Sequence, residues 1–293
     1  LGPQEYNSDK PQAVVVVLPK REYTFDLGAP FEGSKQFFSG NADDLNNTLT
    51  RTLDLTGATT ASLSLKGRYN IEEDYDFLYF ETSVDGGQTW TAREATVNGV
   101  PIGDDGGGRP ALDGDSGDQW VDIEIPLDDV AGQQVQFRFH YVTDGGVSTG
   151  GFFGDAVTVT ADGETVLSDG FENGWAGWVS NGFSIVGATQ TQLFDNFYIA
   201  GYRSYVSYDQ YLKTGPYYFG YPNTKPDYVD HYAYQEGLLI SYWNTRWDNN
   251  DTFAHPGEGR NLYIDSRPEP MYNLTGQPWR ARVQVYDAPF STR

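Results

Sequence analysis

The stretch Ala61-Ser62-Leu63-Ser64-Leu65-Lys66-Gly67-Arg68-Tyr69 alternates apolar with polar side chains. A period of two puts Ala61, Leu63 and Leu65 on one face of a pleated strand, with Ser62, Ser64 and Lys66 on the other. That is the signature of a half-buried β-strand and not of a helix. Upstream, Thr48-Leu49-Thr50-Arg51-Thr52-Leu53-Asp54-Leu55 alternates in the same way, and Phe77–Val84, Trp120–Ile125 and Val135–Val142 continue the series. The continuous apolar run Val14–Leu18 reads as a fully buried strand, and Tyr23-Thr24-Phe25 as another. Strand patterns recur roughly every 10 to 20 residues with no helical period between them, so the fold is expected to be all-β, a jelly-roll sandwich followed by further β structure.

Composition agrees. The 293 residues include 21 Tyr, 17 Phe and 7 Trp with 34 Gly and 15 Pro, a mixture suited to short strands and many turns. The net charge of −22 does not imply disorder, because acidic disordered chains lack the aromatics needed to bury surface. It does exclude nucleic acid as a partner, since 19 basic residues face 41 acids. No apolar run approaches the roughly 20 residues of a membrane span. With no cysteine there are no disulfides or thiolate metal sites. The ends, Leu1-Gly2-Pro3 and Ser291-Thr292-Arg293, carry no initiator Met or secretion signal, and a processed product or a designed fragment is expected. Residues 1–11 read as a linker. Tyrosine becomes dense after about residue 165, which places a first β domain over 12–166 and a second, Tyr-rich mostly-β domain over 167–293.

The motifs carry little catalytic chemistry. Ser83-Val84-Asp85-Gly86-Gly87-Gln88-Thr89-Trp90 fits the Asp-box pattern S-x-D-x-G-x-T-W, a hairpin in which Asp85 and the glycines shape a turn above Trp90. One such box points away from a sialidase, which repeats it across propeller blades. Three histidines, His140, His231 and His255, include no H-E-x-x-H and no pair one helical turn apart. There is no G-x-S-x-G and no nucleotide-binding P-loop. No catalytic residue is assigned.

Oxygen ligands are plentiful. Glu72-Glu73-Asp74-Tyr75-Asp76 sets four acids before a strand, where Asp74 or Asp76 could hold calcium. Gly151-Phe152-Phe153-Gly154-Asp155-Ala156-Val157-Thr158-Val159 has the form of a last jelly-roll strand, with Asp155 expected to meet Glu32 or Glu172; Asp43 and Asp44 are further candidates. Carboxylates drawn from separate loops suit calcium and not zinc.

Taken in order, several segments resemble the immune inhibitor A metallopeptidases. Ser39–Gly57, Tyr75–Tyr79 leading into the Asp-box turn, and Tyr141–Gly146 followed by Gly151–Asp155 look like the family's MAM-like jelly roll. Phe197–Ala200 with Tyr202-Arg203, Leu212–Tyr217, Tyr234–Trp243, Asp248-Asn249-Asn250, His255–Gly259 and Ile264-Asp265 look like its terminal VEG domain. The resemblance implies a secreted bacterial zinc endopeptidase with structural calcium, whose zinc lies in a catalytic domain absent from this chain. It implies an extracellular accessory region that is inactive alone and whose partner is that catalytic domain. The competing expectation is a module binding host or environmental proteins or glycans, with Trp175, Trp178, Trp243 and Trp247 as stacking platforms.

Overall fold

The computed structural model describes residues 9–213, 233–272, 275–279 and 284–291; His231 and Tyr217 lie outside them. The chain forms two compact units, Thr24–Gln190 in the middle, and Leu1–Tyr23 together with Thr191–Arg293. In chain order the longer early strands are β1 (Ala13–Val17), β2 (Arg21–Asp26), β3 (Gln36–Phe38), β4 (Asn46–Asp54), β5 (Ala61–Ile71) and β6 (Phe77–Ser83). Four two-residue strands follow: β7 (Thr91–Ala92), β8 (Thr96–Val97), β9 (Val100–Pro101) and β10 (Gly114–Asp115). Next come β11 (Val121–Pro126), β12 (Gln134–Val142), β13 (Gly151–Ala161), β14 (Glu164–Asp169), β15 (Val179–Asn181), β16 (Ser184–Val186) and β17 (Thr189–Phe194). The last are β18 (Asn196–Arg203), β19 (Gly237–Asn244) and β20 (Asn261–Ile264). The expected all-β fold is observed.

The middle unit is a sandwich of two sheets. One runs β16-β3-β13-β5-β11-β8-β9, with β10 added on β5 and β14 on β13; the other runs β15-β4-β12-β6-β7. Their inner faces carry the alternating residues: β11 buries Val121, Ile123 and Ile125 and turns Asp122 and Glu124 outward. On β12, Phe139 lies opposite Leu49 of β4 and Phe80 of β6, and all three are fully buried. Phe37 of β3 joins the sheets, its ring centroid 5.0 Å from Phe139, 5.9 Å from Phe152 and 4.8 Å from Phe171. Each fully buried Phe or Leu contributes roughly 1.5–3 kcal/mol, against about 0–1 for an exposed ion pair, so this aromatic core holds the sandwich.

The division of the chain differs from the one the composition suggests. The Tyr density places a boundary at 166/167, but the chain divides after Gln190. The reason is pairing: β15 extends the β4 sheet, and β16 adds to β3. The change in composition therefore precedes the change in packing.

The outer unit is built on the antiparallel sheet β1-β18-β19-β20. Its first strand comes from the segment read as the start of the first domain, 12–166: Ala13 pairs with Gly201 and Val17 with Phe197. The run read as buried is instead an exposed edge strand, with Val17 71% exposed. Apolar continuity alone does not distinguish a central strand from an edge. Within this unit Glu258 accepts hydrogen bonds from Tyr23, Asn244 and Trp247 and pairs with Arg21 at 2.8 Å. Burial pushes its carboxyl up, but the Trp247 and Arg21 contacts outweigh that and hold it below the usual range.

Candidate metal centre

Two groups of carboxylates stand out in the middle unit. The first surrounds Asp155. Strand β13 slips register against β5 between Asp155 and Thr158, a bulge in which Ala156 takes φ +50°. The extra residue interrupts the alternation, and Asp155 is left with no exposed surface. Its carboxylate accepts the Glu32 N–H at 3.0 Å and the Ala156 N–H at 2.7 Å. Burial pushes this carboxyl up, and the Glu32 charge adds to that, against the pull of the two N–H groups. A Cβ on Gly170 would meet Glu32 Oε1 at 2.9 Å and Asp155 Oδ1 at 3.7 Å, so glycine keeps the space between the two acids open.

Glu172 takes a different part. Its carboxylate accepts the Ser34 N–H at 2.6 Å, the Ser34 hydroxyl at 2.7 Å and the Lys35 N–H at 2.7 Å. Those contacts, the Ser34 N–H foremost, hold it below the usual carboxylate range. Glu32 and Asp155 are thus brought together, while Glu172 fastens the loop after Glu32.

The second group lies at the end of the sandwich where Val142 of β12 pairs with Phe77 of β6 and Asn46 of β4. Glu72 and Asp76 close a turn between β5 and β6, with the Asp76 N–H donating to the Glu72 carbonyl at 3.1 Å. Asp144 begins the loop after β12, and its N–H donates to Asp76 Oδ1 at 2.9 Å. One carboxylate oxygen from each of Glu72, Asp76 and Asp144 lies within 4.8 Å of the others. Asp76 has no exposed surface, and its Oδ2 accepts no hydrogen bond among the described residues. Desolvation raises both Asp76 and Glu72 above their ordinary values, with the Asp144 and Asp43 charges adding to it.

The remaining sequence candidates are placed nearby or elsewhere. Asp43 accepts the Ser148 hydroxyl at 2.6 Å. Asp44, at φ +57°, donates its N–H to the Asp144 carbonyl at 2.7 Å. Asp74 is not part of this group, and its backbone N–H donates to the Asp113 carboxylate at 2.9 Å. Glu72 and Asp144 were not singled out from the sequence. Glu72 could have been found from its spacing of four from Asp76 across a turn, whereas Asp144 approaches from another loop with no local signal.

Other features fill structural roles. In the Asp-box turn Asp85 accepts the N–H groups of Gln88 and Thr89 and the hydroxyls of Ser83 and Thr89. The Arg138 guanidinium lies 4.0 Å from the Trp90 ring centroid. His140 contacts Glu81 at 3.0 Å and Asn46 at 2.9 Å, and Glu81 also binds Arg138 at 2.6 Å and Arg109. His255 stacks on Trp247 at 4.2 Å, with both ring nitrogens engaged by Glu258 and Asn249. Trp178 is buried in the aromatic core, and Trp175 packs against it. Among the described residues no helix is long and apolar enough to cross a membrane.

Comparison with known proteins covers both units. Residues 2–188 match the family described as "Immune inhibitor A-like, MAM domain", and residues 191–293 match "Immune inhibitor A-like metallopeptidase, VEG domain". The chain is 30% identical over 298 aligned residues to the pre-pro-metalloprotease PrtV of Vibrio cholerae serotype O1, an alignment covering 98% of this chain and 29% of that protein. It is 29% identical over 291 residues to immune inhibitor A of Bacillus thuringiensis subsp. alesti, covering 97% of this chain and 38% of that one. The chain therefore spans between a quarter and two fifths of the length of these relatives.

Proposed function

Because the chain belongs to the immune inhibitor A-like metallopeptidases, spanning their MAM and VEG domains, we propose that it is the non-catalytic accessory region of a secreted bacterial zinc metalloendopeptidase. The observation that carries this reading is the coincidence of an end-to-end family match with the absence of H-E-x-x-H anywhere in the sequence. A zinc protease needs a fixed set of ligands with an open coordination position, and this sequence contains no such motif. Its work is then mechanical: to stabilise and orient a catalytic domain carried elsewhere in the parent protein. The exposed apolar strand Val14–Val17 supports that role, since an apolar sheet edge with no further strand paired to it among the described residues invites a partner. Structural calcium belongs to the same proposal, with Glu32 and Asp155 as ligands; two adjacent acids, one fully buried, are easier to hold around a cation than apart from one.

The pure chain is expected to leave casein intact, and EGTA is expected to lower its melting temperature. Casein cleavage blocked by a zinc chelator would overturn the accessory reading. A glycan-binding role rests on the cleft of about 290 Å³ between Trp243, Arg246, Trp247 and Arg260. There Arg260 lies 5.4 Å from the Trp243 ring centroid, and Arg246 and His255 approach Trp247. Those ring faces already have neighbours, so the geometry favours packing over sugar stacking.

A further inference from the structure

We infer that Glu72, Asp76 and Asp144 form a calcium site that ties the β5–β6 turn to the β12–β13 loop. Three observations converge on it. The first is geometric: one oxygen from each side chain lies within 4.8 Å of the others, which is the spread available to ligands about 2.4 Å from a common ion. The second is the buried Asp76 Oδ2, which faces no hydrogen-bond donor among the described residues. A desolvated carboxylate oxygen without a donor is costly, and Asp76 is the one fully buried acid among the described residues of this sandwich that carries one.

The third is the contrast with the other fully buried acids of the same sandwich. Glu81 is surrounded by Arg109, Arg138 and His140. Asp155 places both oxygens against N–H groups, Oδ2 on Glu32 and Oδ1 on Ala156. Asp76 receives the Asp144 N–H on one oxygen, and the charges around it, Asp144 and Asp43, are of its own sign. The compensation that Glu81 draws from guanidinium groups is missing, and a divalent cation supplies it. The donor set is oxygen alone, which excludes the soft-metal choice of zinc by thiolate or imidazole. Asp144 is exposed, so the ion has a way in from solvent and room to keep water ligands. Calcium tolerates such an irregular, partly hydrated shell better than magnesium, which demands near-octahedral geometry.

This inference stands apart from the accessory role and from the Glu32–Asp155 pair, and the test separates them. Calcium is titrated calorimetrically into the full chain stripped with EGTA, and melting is followed with and without calcium. Asp76→Asn and the exposed Asp144→Asn are each expected to remove one bound calcium, or to weaken it by more than about tenfold, while Asp155→Asn keeps this site. In EGTA, Asp76→Asn should melt at or above the wild type, because the amide sheds an uncompensated charge; with calcium it should melt below it. Unchanged stoichiometry and an unchanged melting increment in both Asp76→Asn and Asp144→Asn would overturn the proposal. So would an Asp76→Asn variant destabilised equally with and without calcium, which would mark Asp76 as a purely structural hydrogen-bonding residue.

Discussion

Glu81 on β6 and Asp76 in the turn that leads into it are carboxylates with no exposed surface, yet their surroundings are opposite. Burial alone would push Glu81 up; the hydrogen bonds and charges of His140, Arg138 and Arg109 outweigh it and bring its carboxyl from 4.5 to about 2. A depressed value means that Glu81 adds stability at every pH above its unfolded value. That contribution is lost as the pH falls from about 4.5 through 2. The shift corresponds to something on the order of 3 kcal/mol. Urea unfolding at pH 6 and at pH 2.5 should show this loss in the wild type and a much smaller one in Glu81→Gln. At neutral pH Glu81→Gln should itself cost roughly 3–5 kcal/mol, since it leaves the part-buried Arg138 guanidinium and its neighbour Arg109 without their buried counter-charge. At this scale the sequence was only partly legible. Asp155 could be matched in advance to Glu32 or Glu172 because its segment has the form of a last jelly-roll strand, and Asp76 could be named because it ends an acidic run. Asp144 could not, because the loop that carries it meets Asp76 only through the pairing of β12 with β6.

At the scale of the strand, alternation was a sound guide wherever one face met the core and the other met water. Strands β4, β5, β11 and β12 lie where the period of two places them. It failed for β1, whose valines alternate with nothing and whose burial depends on whether a neighbour lies on both edges. Strand β13 shows how a single glycine admits an aromatic core. A Cβ at Gly154 would stand 2.1 Å from the Phe37 ring, which the core holds between Phe139 and Phe171. Gly154→Ala should therefore destabilise the middle unit by roughly 1–3 kcal/mol through overpacking, read as a lower urea midpoint with an unchanged slope. An accompanying Phe37→Leu should recover part of that loss, because the two changes share one space.

For the whole molecule, fold class and family were readable from ordered motifs, but the division into units was not. Composition shifts near residue 165, while hydrogen bonding keeps β15 and β16 in the sandwich. The middle unit, Thr24–Gln190, is thus an insertion within the outer one. Removing residues 1–18 should abolish the cooperative melting of the outer unit and leave that of the middle unit in place, a difference that calorimetry on the truncated chain would resolve. Loss of both transitions together would show that the two units do not fold independently.

The pairing of β1 with β18 also has a consequence in time. A chain emerging from a ribosome or a secretion pore delivers Ala13–Val17 long before Asn196–Arg203 exists to receive it. The sandwich in between can close on its own contacts, while the early valines wait as an open template for the wrong strand. A stall in synthesis within the second half of the chain should therefore favour aggregation seeded by that edge. A charged residue placed at Val15 would be the way to see it.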